Sequence, residues 1–263
     1  MLKAIMFDLD DTLIWDERSV TDALQKACRL AWETYAIDPK QLERNVRTYA
    51  RKLFSSYDTY PFTNMIGINP LEGLWGEFND QGSSFHRLNA IVSSYQKNVW
   101  NLSLKKFNVN DSQLAAQMAE TFKAKRRQTQ FVFSDTFAVL NAFYGKYRLL
   151  MLTNGAPSLQ RMKLSITPEL APYFDHIVIS GAFGKGKPDP AIFEHALKKL
   201  AIDSDEALMV GDNLYTDILG ASKAGIPTVW IHHHSSSLSD VRPTYKISEL
   251  KELLRVDRWK HRF

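Results

Sequence analysis

Leu2-Lys3-Ala4-Ile5-Met6-Phe7-Asp8-Leu9-Asp10-Asp11-Thr12-Leu13 decides how the rest of the chain is read. A largely apolar run ends in three acidic residues and a hydroxyl. Strand sequence that ends in clustered carboxylates predicts a buried parallel strand with its C-terminal end at an active-site crevice. Crowding like charges away from water is costly, so such a cluster implies a cation or a chemical task. Alone the pattern Asp-x-Asp-x-Thr is weak, because a solvated turn with a helix N-cap reads the same way. The later chain has to decide.

Past Asp16 the character changes. From about Ser19 to Arg127 apolar residues recur at three-to-four spacing, as in Ala23, Ala27, Leu30, Ala31 and Tyr35. Ser55 to Pro70 is turn-rich. Helical patterns resume over Leu71–Phe78, Phe85–Leu104 and Ser112–Lys125, the last with Asp111 as N-cap. This predicts a bundle of four or five helices. From Phe131 onward strands and helices alternate. Strands are expected at Tyr147–Leu152, His176–Ser180, Ala207–Val210 and Pro227–Ile231, with helices at Ser134–Tyr144, Pro157–Leu164, Pro190–Leu200 and Tyr215–Ala224. Alternation of this kind predicts an α/β fold, a doubly wound, Rossmann-like parallel sheet. The first strand is separated from these units by the helical stretch. The economical division is an α/β core of residues 1–15 and 128–263, interrupted by an inserted α-helical bundle, 16–127.

Polar residues follow each of the first four strands, and in open parallel sheets such ends converge on the ligand. Thr153-Asn154-Gly155 offers a hydroxyl, an amide and a flexible backbone at a helix start, suited to phosphate oxygens, although an ordinary cap has the same composition. Gly186-Lys187-Pro188-Asp189-Pro190 fixes the path of a loop that carries a lysine into the next helix. Gly211-Asp212 with Asp217 puts two carboxylates at a strand end and helix start, a donor set for a hard divalent cation.

In this order the four elements resemble the four signatures of the haloacid-dehalogenase-like (HAD) superfamily, most members of which are phosphatases. The resemblance covers the whole α/β part. The insert, just after the first signature, resembles the helical cap of one large subgroup. The resemblance implies a phosphatase with Asp8 as nucleophile, forming an aspartyl-phosphate, and Asp10 as the acid and base that serves the leaving group and the water. Mg²⁺ would be held by Asp8, the Asp10 backbone carbonyl and Asp212, with Asp217 in support. Thr153, Asn154 and Lys187 would bind the phosphoryl oxygens. Haloacid dehalogenases generally lack an acid at the Asp10 position, so Asp10 favours phosphoryl transfer. A phosphomutase would keep it and stays an alternative, as does a non-catalytic regulatory protein that binds a phosphorylated metabolite. Many groups are needed together. Acceleration of phosphate-monoester hydrolysis reaches ~10²¹, roughly 29 kcal/mol, and one oxyanion donor supplies only roughly 3–4.

Composition bounds the remaining classes. The 263 residues carry 33 Lys and Arg against 29 Asp and Glu, a net charge of +4, without the concentrated excess of a nucleic-acid binder. A small phosphorylated molecule is the expected partner, with no nucleic acid and no membrane, and the oligomeric state, monomer or dimer, is left open. Cys28 is the single cysteine, no leader pattern precedes the first strand, and no window approaches a membrane span, so a cytoplasmic setting is expected. His232-His233-His234 resembles a metal tract, but neighbouring strand-end side chains point alternately and rarely share one ion. A loop after the last core strand is the reading adopted. The tail Arg255–Phe263 reads as a packed or frayed terminus. Tyr57, Tyr60, Phe62, Trp75 and Phe78 are read as core of the insert.

Overall fold

The computed structural model describes residues 1–233 and 240–258, so His234 and the end of the tail lie outside the described residues. The chain divides into two compact units, one of residues 1–15, 131–154 and 167–263, the other of residues 16–130 and 155–166.

The first unit is built on a six-stranded sheet. Its strands are β1 (Ala4–Phe7), β2 (Arg148–Thr153), β3 (His176–Ile179), β4 (Ala207–Gly211), β5 (Thr228–Ile231) and β6 (Tyr245–Ile247), in the order β3-β2-β1-β4-β5-β6 and all parallel. This is a doubly wound α/β sheet, in which ligands collect outside the carboxyl ends where the strand order reverses. β1 is central and buried along its whole length. Alternate residues of β1, β2 and β4 face one apolar cluster: Ala4, Met6, Leu150, Leu152, Ala207 and Met209 pack with Ile192, Phe193 and Ala196 of the helix Pro190–Leu200. Ile5, Phe7, Leu149, Met151, Leu208 and Val210 are also buried, so both faces of these strands are covered, which is why their sequences are continuous apolar runs. Truncating a leucine in such a place costs about 2–5 kcal/mol, so the strand ends rest on a stiff base.

The register aligns the chemistry. Phe7 pairs with Met151 on one side and with Val210 on the other, and Asp8 N donates to Val210 O at 3.0 Å. Asp8 therefore emerges beside Gly211-Asp212. Thr153, two residues beyond Met151 on β2, lies opposite Ile179. The sixth strand extends the sheet beyond the expected set, so Pro227–Ile231 is not its edge. Short and with a single fully buried residue, Ile247, it carries almost no alternating signal.

The second unit is helical. Four long helices, Asp16–Tyr35, Pro39–Phe54, Ser83–Lys105 and Ser112–Gln128, bury a shared core that includes Leu24, Val46, Trp75, Phe78, Trp100 and Phe122. Asp38 caps the second through Lys40 N, and Asp111 caps the fourth through Leu114 N at 2.9 Å. Two local expectations fail for identifiable reasons. The interval Ser55–Pro70 contains the helix Tyr60–Ile66, which tolerates Pro61 in its first turn, where an N–H has no helical partner anyway. The expected helix Leu71–Phe78 is only Pro70–Gly73, because the chain turns after Gly73 and reaches Phe78 with φ of 55°. Trp75 and Phe78 are core; Tyr60 is exposed.

The helix Pro157–Ile166 is a larger correction. Strand–helix alternation predicts that it packs with the sheet, yet it groups with the helical unit. Its partners there are specific. Ala156 and Leu159 enter the helical core, Ser158 N and Oγ donate to Asp80 at 2.8 and 2.5 Å, and Gly155 N donates to Ile66 O at 3.0 Å. Lys163, buried, binds Glu72 at 2.8 Å beside the buried pair Arg126–Asp16. A local pattern reports that a helix has an apolar face, not which surface meets it. No described helix is long and apolar enough to cross a membrane.

Candidate active site

Every residue singled out from the sequence for chemistry lies in the α/β unit, at or just past the C-terminal ends of β1, β2 and β4, or in the loop that leads to the helix Pro190–Leu200. Asp8 leaves β1 into a tight turn. Leu13 N and Ile14 N both donate to Leu9 O, at 2.9 and 3.1 Å, and Asp11 takes φ of 54°, a left-handed conformation that Asp tolerates better than most residues. Asp10 is partly exposed on this turn, while Thr12 is buried and its hydroxyl donates to Asp212 Oδ1 at 3.4 Å.

Lys187 organises the carboxylates. Its ammonium lies 2.6 Å from Asp8 Oδ1, 2.6 Å from Asp217 Oδ1 and 2.8 Å from Leu152 O. All three side chains of this triad are buried. Burial alone would depress the lysine, but the carboxylates of Asp217 and Asp8 outweigh it and hold the ammonium above the usual lysine range. For Asp8, burial pushes the carboxyl up, the Lys187 ammonium pulls it back and Asp217 adds to the rise, leaving it at about 6. Asp212 lies well above the ordinary carboxylate range, through lost hydration and then the charges of Asp217, Asp8 and Asp11.

The local backbone explains how these groups are brought so close. Asn213 caps the π-helical turn Leu214–Ile218 by accepting from Tyr215 N and Thr216 N, and Asn213 N donates to Asp217 Oδ2 at 3.1 Å. The wider π turn brings Asp217 back over Gly211, where a Cβ would collide with its carboxylate. Only glycine permits that approach. Asn154, expected to face phosphate, clasps the lysine loop. Its Nδ2 donates to Lys187 O at 2.9 Å and its Oδ1 accepts from Lys187 N at 2.8 Å. Thr153 is fully buried at the end of β2, with its hydroxyl 3.4 Å from Asn154 O.

One carboxylate oxygen from each of Asp8, Asp212 and Asp217 falls within a 4.8 Å group. Three hard oxygen donors with a raised Asp212 are a set that a divalent cation relieves, so the residues fit Mg²⁺. Two donors at the end of β5 escaped the sequence reading. Trp230 Nε1 donates to Asp212 O at 2.7 Å, and His233 Nε2 lies 2.7 Å from Asp11 O. Bonds from a ring to a main-chain carbonyl have no motif, and nothing in the sequence could have signalled them.

The geometry can be set beside known proteins. The family model of haloacid dehalogenase-like hydrolases matches residues 2–225. The chain is 30% identical over 256 residues to a phosphoserine phosphatase of Thermus thermophilus, covering 96% of this chain and 98% of that protein. It is 40% identical over 118 residues to the pyrimidine 5′-nucleotidase YjjG of Escherichia coli (strain K12), covering 44% of this chain and 52% of that protein. Among solved structures, the HAD-hydrolase YfnB of Bacillus subtilis bound to magnesium has a TM-score of 0.65 at 20% identity, over 97% of this chain and 98% of that one, a likeness of fold. With the sheet order, the clustered aspartates and the buried lysine, these matches identify the chain as a member of the haloacid dehalogenase-like hydrolase family.

Proposed function

We propose that the protein is a Mg²⁺-dependent phosphatase that hydrolyses a small phosphorylated metabolite through an aspartyl-phosphate on Asp8. The observation that carries this reading is the buried Asp8–Lys187–Asp217 triad with Asp212 beside it, at the C-terminal edge of a doubly wound sheet. Asp8 Oδ attacks phosphorus and the leaving alcohol takes a proton from Asp10; Asp10 then deprotonates the water that cleaves the acyl phosphate. Lys187, Thr153 and Asn154 offset charge on the phosphoryl oxygens. Asn154 has a second duty, holding the Lys187 backbone in place. Asp8, the Asp10 carbonyl and Asp212 would hold Mg²⁺, with Asp217 in support, and the ion would neutralise charge on the carboxylates and the transferring group. Asp217 also anchors Lys187. The helical unit, which follows Trp15 in the chain, is assigned the selection of the leaving group as a cap.

The relatives' names support a small substrate, and phosphoserine, pyrimidine nucleoside monophosphates and sugar phosphates form the panel to test first. The protein is expected to hydrolyse p-nitrophenyl phosphate with Mg²⁺ and to lose that activity with chelator. No hydrolysis of any generic phosphomonoester would refute the reading, and isomerisation of a sugar phosphate in place of hydrolysis would replace it with a mutase.

Metal binding should follow the carboxylates. Mg²⁺ binds their ionised forms, so protons compete with it wherever Asp8, at about 6, is protonated. Its affinity, measured by calorimetry, is expected to rise from pH 5 to pH 7, by up to about tenfold per pH unit for each proton displaced. Affinity independent of pH would show that these groups are not the ligands.

A further inference from the structure

Strand β5 contributes no residue to the proposed chemistry, yet its C-terminal end reaches both acidic loops. Trp230 holds the Asp212 carbonyl, and His233 holds that of Asp11. A carbonyl oxygen can only accept, so Nε2 of His233 carries the proton in this contact. The imidazole is held flat as well as bonded. It stacks on Phe133 with ring centroids 4.8 Å apart and planes 9° apart, and Phe133 stacks on Trp15 at 5.4 Å and 14°. Those two rings belong to a short antiparallel ribbon, in which Trp15 N donates to Phe131 O at 2.8 Å and Ile14 pairs with Val132. The histidine is thus fixed to the chain segments that flank the Asp10 turn. Asp11 is the residue of that turn with positive φ, and it directly follows Asp10. Leu9 O ties the turn from within, and His233 ties it from outside.

We propose that His233 is a positioning residue for Asp10: its ring N–H, braced by the Trp15–Phe133 stack, pins the left-handed turn that aims the Asp10 carboxyl at the leaving group. This rests on the reading of Asp10 as the proton donor. A loosened turn would leave Asp8, Lys187 and the carboxylate group intact while the acid wanders from the leaving oxygen. Misplacement of the acid weakens proton transfer specifically. p-Nitrophenolate departs without a proton, whereas an alkoxide does not.

Two variants of the full chain separate donor from ring. His233→Phe keeps a flat ring for the stack and removes the N–H; His233→Gln keeps an N–H and removes the ring. Each is compared with the unaltered protein at saturating Mg²⁺, by kcat/KM on p-nitrophenyl phosphate and on glycerol 2-phosphate. His233→Phe is expected to lose about tenfold on the alkyl ester and less than about threefold on the aryl ester. His233→Gln is expected to recover most of the alkyl-ester rate. Equal losses on both esters, an unchanged ratio in His233→Phe, or no recovery in His233→Gln would overturn the proposal. Hydrolysis by the unaltered protein, abolished by Asp8→Asn, keeps such a failure distinct from failure of the phosphatase reading itself.

Discussion

Asp8→Asn is expected to reduce hydrolysis by at least about 10⁴-fold, in line with the loss of a nucleophile in other covalent enzymes, while the protein stays folded. The substitution preserves size and shape at a buried position and removes only the attacking charge. Lys187 keeps Asp217 at 2.6 Å and the Leu152 carbonyl at 2.8 Å, so its ammonium is not left without a partner. The change also removes a carboxylate that burial has already driven up to about 6. Stability should therefore move by no more than about 1 kcal/mol. Initial rates on p-nitrophenyl phosphate together with a thermal melt check both halves. A folded Asp8→Asn protein that retained a tenth of the activity would refute covalent catalysis at this residue.

Lys187→Met should have the other large effect, on stability as well as rate. The lysine stands between two buried carboxylates, and Asp212 crowds them further. Removing one partner of a buried ion pair typically costs about 3–5 kcal/mol, because the remaining charge is left without compensation. The loss of a donor to the phosphoryl group should lower kcat by about 10²–10³ as well. The pH dependence has a definite sign. Asp8 binds protons more tightly in the folded protein than in the unfolded chain, so its contribution to stability is greatest at low pH and declines as pH rises through about 6. Without the ammonium the Asp8 carboxyl is held higher still, so the decline continues to higher pH. The deficit of the variant relative to the unaltered protein should be larger at pH 8 than at pH 5 in urea unfolding. Saturating Mg²⁺ should narrow it, because a cation again faces the carboxylates. A deficit independent of pH would mean that Lys187 stabilises by packing alone.

The parts of the site that were legible in the sequence share a physical reason. Asp8, Thr153 and Asp212 each directly follow or end an apolar strand, and parallel pairing brings such ends together whatever their separation in the chain. Lys187 was legible through the prolines and glycine around it. The unread features depend on tertiary contact. Asn154 was expected to face phosphate because an amide at a strand end suits that task, and the clasp on Lys187 exists only once two loops 33 residues apart have met. The helix Pro157–Ile166 has an ordinary apolar face whose destination is decided by Asp80, Glu72 and the helical core. Strand β6 is three residues long, with Lys246 exposed in its middle and packed over the Trp230 ring, so periodicity had nothing to report. His233 lies in the loop after β5, within a run that resembles a metal tract. Its contact with Asp11 and its stack on Phe133 use the ring as a donor and a flat surface, properties that a run of histidines does not advertise.

In the proposed mechanism the phosphoryl group passes from substrate to Asp8 and then to water, two displacements in succession. The stereochemical course at phosphorus reads this directly. With a phosphorothioate substrate made chiral by oxygen isotopes and hydrolysed in labelled water, each in-line displacement inverts the centre. Two displacements give net retention of configuration, the result expected here. Net inversion would mean that water attacks the substrate in a single step, and would contradict the role assigned to Asp8.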